Sequence, residues 1–168
     1  GYLAACASLL AASAANAQTA SSAFECTLPY EETMMALGSL EMVDQQAVKP
    51  FPGLHGEGQL LTFAPGDLEV YGAKPEKLTF EILEPHAWQA KENYKATLTT
   101  TFAKSAATDE AIKQSVQWHL GCGAFSFCIR SDDARPDGAG ILEYRTKEKL
   151  ELQCIFEFTP EEFNALGT

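Results

Sequence analysis

Along KLELQCIFEF (149–158), Leu150, Leu152, Cys154, Phe156 and Phe158 occupy alternate positions, with Glu151, Gln153 and Glu157 between them. Period two is the pleat of a strand that buries one face and wets the other. LTFEIL (78–83) repeats it, with Leu78, Phe80 and Ile82 set against Thr79 and Glu81, and KATLTTTFA (95–103) places Ala96, Leu98 and Phe102 inward. QLLTF (59–63) and LEVY (68–71) read as shorter strands around a type II turn, with Pro65 and Gly66 at its two central positions. AFSFCIRS (124–131) and GILEYRT (140–146) read as two more strands, joined through the turn sequence RPDG (135–138).

Helical spacing takes over between these runs. In TLPYEETMMALG (27–38), Tyr30, Met34 and Leu37 recur at i, i+4 and i+7 and form the expected buried stripe. Thr27 or Leu28 serves as cap, Pro29 opens the first turn, Glu31 and Glu32 face the positive end of the dipole, and Gly38 stops the helix. TDEAIKQSVQWHLG (108–121) repeats the plan, with Thr108 as cap, a stripe of Ala111, Ile112, Ser115, Val116 and His119, and Gly121 at its end. PEEFNAL (160–166) opens a further helix at Pro160.

The predicted fold class is therefore α+β. Each half of the chain, about 24–103 and 104–168, reads as a helix plus a three-stranded antiparallel unit. Such a pair forms one domain, either as two covered sheets or as one joined sheet. The layout resembles the tandem helix-plus-sheet units of the β-lactamase-inhibitor-protein and outer-membrane assembly lipoprotein folds. That likeness is architectural and shares no motif, so it bears on fold and not on activity.

Residues 1–17, GYLAACASLLAASAANA, carry no charge and end in Ala15-Asn16-Ala17, a small-x-small pattern suited to signal peptidase. They read as a truncated signal peptide, with Gln18 first in a mature domain spanning 18–168. Leu3-Ala4-Ala5-Cys6 also resembles a lipobox, but apolar sequence continues where a lipoprotein turns polar, so a periplasmic or secreted product is preferred to one anchored through Cys6. No second apolar run reaches membrane-spanning length.

The net charge is −11 over 168 residues, all of it after the leader. Such a surface repels phosphate backbones, so no nucleic acid is expected, and a cationic protein, or no partner at all, is the preferred reading. Past the leader stand Cys26, Cys122, Cys128 and Cys154, an even set that reads as disulfides in an exported chain. Alternation turns Cys154 inward and Cys128 outward on their strands, so these two do not pair; Cys122 is the better partner for Cys154, leaving Cys26 with Cys128 or both free. His119-x-x-Cys122 has a ligand-like spacing, but the remaining donors are scattered and no metal is expected.

No nucleophile elbow, zinc-protease motif or Walker loop is present, so no catalytic residue and no cofactor is assigned. In SDDARPDGAG (131–140), Asp133, Asp137 and Gly138 fit calcium-loop positions, yet Arg135 and Tyr144 fall where oxygen ligands belong. KPFPGLHGEGQ (49–59) precedes a strand instead of opening a helix, so it is no phosphate cradle. It reads as a surface loop, and its Phe51, Leu54 and His55 are the candidate contacts for a partner. The expected function is protein recognition in the cell envelope, with inhibition of a cationic enzyme as one version. The rivals are a small hydrolase using His86 or His119, and a carrier holding an apolar ligand between helix and sheet.

Overall fold

The computed structural model describes residues 19–48, 58–83, 94–115, 127–131, 140–145 and 149–166. Residues 19–24 are helical (α1), followed by α2 (Tyr30–Leu37), β1 (Met42–Val48), β2 (Gly58–Phe63), β3 (Lys77–Leu83) and β4 (Tyr94–Ala103). The second half supplies α3 (Ala106–Ser115), β5 (Phe127–Ser131), β6 (Gly140–Arg145), β7 (Lys149–Phe158) and α4 (Pro160–Leu166). The fold is α+β, as the alternating patterns require.

The seven strands among the described residues join one antiparallel sheet in the order β1-β2-β3-β4-β7-β6-β5. The first half contributes four strands in a meander and the second half three, and the halves meet where β4 pairs with β7 from Tyr94↔Phe158 to Ala103↔Lys149. Leu98 lies opposite Cys154 and Ala96 opposite Phe156, so the inward positions read from the two sequences stand side by side. Leu78, Phe80, Ala96, Leu98, Phe102 and the inward residues of β7 are buried, with α1 and α2 contributing Ala20, Ala23, Phe24, Ala36 and Leu37 to the same core.

Several expectations change. The buried stripe of α2 is Thr33, Ala36 and Leu37 beside a half-buried Tyr30, whereas Met34 is exposed. Positions 30, 33 and 37 satisfy the helical period as well as 30, 34 and 37 do. Pro29 occupies the cap position without a side-chain cap bond, so neither Thr27 nor Leu28 caps α2. For α3 the cap is Ser105, whose Oγ accepts the Thr108 amide at 3.0 Å, so the helix starts before the expected Thr108. Thr159 and Glu162 exchange side-chain-to-backbone bonds at the start of α4, a capping box around Pro160.

LEVY is not a strand. Val70 and Ala73 bond each other in both directions across Tyr71 and Gly72, which have φ of 51° and 73°. Two positive φ values at the centre make this a type I′ turn, with a tyrosine where glycine or asparagine is usual. Glu25 holds it there: the Tyr71 amide donates to the Glu25 carboxylate at 2.8 Å and the Tyr71 hydroxyl donates to the Glu25 carbonyl at 2.9 Å. The Leu68 amide donates to the Pro65 carbonyl at 3.0 Å, so the central residues of the preceding turn are Gly66 and Asp67, one position later than Pro65-Gly66.

Cys26 and Cys154 form a disulfide across 128 positions, with Cα atoms 5.5 Å apart. Cys154 is inward, as expected, but its partner is Cys26 instead of Cys122. Cys128 does not pair with Cys154, although the facing argument behind that expectation changes. Cys128 lies opposite Glu143, and Glu143 opposite the buried Leu152, so Cys128 falls in the row of Leu152 and not in that of Gln153. Alternation defines two faces without saying which is which, and a one-residue slip exchanges them.

Candidate functional site

The geometry of the first edge of the sheet begins with how α2 is held. Tyr30 lies edge-on to Phe156 and Phe158, with ring centroids 5.5 and 4.7 Å away, and burial raises its hydroxyl pKa above the ordinary value. Together with the Cys26–Cys154 bond, this fixes one side of α2 against the centre of the sheet. The opposite side carries Glu31, Glu32, Met34 and Met35, all exposed. Past Leu37 the chain turns through Gly38 and Ser39, whose hydroxyl donates to the Ala36 carbonyl at 2.7 Å, and enters β1.

β1 is an edge strand. Residues Met42–Ala47 are exposed on both faces, and only Val48 is half-buried. Among the described residues, the exposed large hydrophobics all fall between residues 34 and 43: Met34 is 36% exposed, Met35 72%, Met42 50% and Val43 55%. Exposed acids are interleaved with them, namely Glu31, Glu32, Glu41 and Asp44. No basic residue precedes Lys49, so nothing within the stretch neutralises that charge. Exposed acids interleaved with exposed apolar side chains are suited to a partner that brings positive charge and apolar side chains of its own.

The expected recognition residues Phe51, Leu54 and His55 lie outside the described residues, as do His86, His119, Cys122, Cys6 and the Asp133–Gly138 turn. The topology does say what their loop connects. Val48 and Gly58 face each other in the β1–β2 register, so residues 49–57 close a hairpin that starts where the exposed edge ends. No family model matches the chain, and neither a curated protein nor a solved structure matches it.

The second face of the sheet has a different character. Thr62, Thr79 and Thr99 form one cross-strand row, and Leu60, Glu81, Thr97 and Ile155 form the next. Glu81 is partly desolvated in that row, which raises its carboxyl pKa, and Lys95 opposes the shift. Among the described residues no group of His, Cys, Asp and Glu is arranged to hold a metal ion. The arrangement with chemical content is therefore the acidic, methionine-bearing edge. Sequence reading missed it because MVDQQAV has no period-two alternation, and Met34 was assigned to the buried stripe. The signal that was available is charge: five acids fall between residues 25 and 44 with no base among them, namely Glu25, Glu31, Glu32, Glu41 and Asp44.

The disulfide suggests an oxidising, extracytoplasmic environment. No helix among the described residues is long and apolar enough to cross a membrane.

Proposed function

We propose that the chain is an exported, non-enzymatic binding module of the cell envelope that recognises a cationic protein. The observation that carries this reading is the run 31–47, where the exposed Met34, Met35, Met42 and Val43 are interleaved with the exposed Glu31, Glu32, Glu41 and Asp44 and no basic residue occurs. Unbranched methionine side chains adapt to varied apolar surfaces, and the surrounding negative field speeds encounter with a positive partner. Inhibition of a cationic enzyme is one specific form of the reading, and Phe51, Leu54 and His55 extend the contact from the adjoining connection. Residues 1–17 act as the export leader in this reading. The buried Ala20, Ala23 and Phe24 support a mature start near Gln18, since cleavage beyond them would strip the core. The two halves, 24–103 and 104–168, serve as paired helix-plus-sheet units of one binding domain.

The test is capture from envelope extract by immobilised protein spanning 18–168, run beside a Met35→Ser/Val43→Ser variant. Both substituted positions are exposed, so stability should stay within about 0.5 kcal/mol. The expected result is a basic protein retained by the wild type, released as salt is raised and lost from the variant. Phe51→Ala with Leu54→Ala should weaken the same capture by more than about 1 kcal/mol. Equal capture by the wild type and the Met35/Val43 variant, or retention of acidic proteins alone, defeats the reading.

A further inference from the structure

We propose that the partner binds as an added strand, an extended segment with basic side chains that pairs with the free edge of β1. This rests on the recognition reading above and supplies its geometry. β1 ends the sheet, so its pairing with β2 uses only one of its edges. In an antiparallel pair, alternate residues turn N–H and C=O groups away from the neighbour, which leaves a ladder ready for another chain.

Edge strands usually block that ladder with lysine, proline, a bulge or a covering element. Met42–Val48, MVDQQAV, contains neither lysine nor proline, and Met42–Ala47 are exposed on both faces, with no described element covering them. The one irregularity is a register shift between Met42 and Asp44, at the start of the strand. From Asp44↔Thr62 to Val48↔Gly58 the register is unbroken, so this length of edge is regular.

Charge selects the occupant. A second copy of this chain would bring another net −11 and place acids beside acids, which opposes self-pairing. A strand with lysine or arginine would instead set cations near Asp44 and Glu41, and its apolar side chains would meet Met42 and Val43. Backbone bonds supply affinity in this mode, and alternate side chains supply selectivity.

The probe is an eight-residue peptide of alternating lysine and valine, with an alternating glutamate and valine peptide as control, titrated against protein spanning 18–168. Amide hydrogen exchange is read along β1. The expected result is slowed exchange confined to amides within Met42–Val48, produced by the lysine peptide and not by the glutamate peptide, and diminished by salt. Gln45→Pro and Gln46→Pro are compared next, because alternation makes one of these two amides point outward. The variant that keeps the β2 amides protected should bind the lysine peptide about tenfold more weakly. If both proline variants unfold, the wild-type exchange pattern decides alone. Binding of the lysine peptide with β1 exchange unchanged overturns strand addition and leaves side-chain recognition standing. Absence of binding by the lysine peptide also overturns strand addition, while the extract capture judges the recognition reading separately. Equal protection by the glutamate peptide overturns the choice of a basic partner.

Discussion

Thr100 is fully buried between Leu98 and Phe102 on β4, opposite Leu152, and its hydroxyl has no hydrogen-bond partner. A hydroxyl withdrawn from water without a bond costs about 1–3 kcal/mol, and a methyl group in its place would fit the surrounding leucines. Thr100→Val should therefore raise the unfolding free energy by about 1 kcal/mol, measured as a shift in urea midpoint at constant slope. A destabilised variant would show that the hydroxyl is bonded in solution. Period two already puts position 100 on the inward face with Ala96, Leu98 and Phe102, so the location was legible. The missing partner was not, because hydrogen bonding depends on what packs opposite. Tyr71 is a second residue of this kind. Its left-handed φ of 51° is sustained by Glu25, which lies far off in sequence, and no local pattern announces that clasp.

Among the elements, β2 shows how tightly neighbouring strands can be drawn. A Cβ added at Gly58 would stand 2.5 Å from Leu83 Cδ2 and 2.7 Å from the Ile82 carbonyl oxygen, and the second of these is backbone that cannot move aside cheaply. Gly58→Ala should destabilise the protein by about 1–3 kcal/mol and hasten amide exchange in β1, whose pairing with β2 ends at this point with Val48↔Gly58. Normal stability in that variant would mean that the hairpin end relaxes freely. β3, β4 and β7 were legible because apolar and polar residues alternate along them, even though Thr79 and Thr97 are buried on the second face, and α4 because Pro160 opens its first turn. β1 was not legible, since a strand exposed on both faces has no burial to encode. The short α1 was hidden too, as Ala20, Ala23 and Phe24 continue the alanine-rich composition of the leader.

At the scale of the molecule, the disulfide joins the α1–α2 junction to β7 across 128 positions. Closing so long a loop restricts the unfolded chain strongly, and removing such a bond typically costs about 2–5 kcal/mol. Cys26→Ala combined with Cys154→Ala should lower unfolding stability by that amount in urea titration, and an unchanged midpoint would show that burial of the two side chains suffices. Four cysteines permit three pairings, and the choice of Cys26 for Cys154 depends on Tyr30 and its helix packing on β7, which is information about packing and not about spacing. The strand order carries one more implication, for the time course of biosynthesis. β4 has β3 on one side from the outset, but its other neighbour, β7, is translated only after α3, β5 and β6. The middle of the sheet is thus the last seam to close. Cys122 and Cys128 are made before Cys154, so Cys26 meets two rival thiols before its partner, and any bond formed with either has to be exchanged by thiolate attack before the Cys26–Cys154 bond can form.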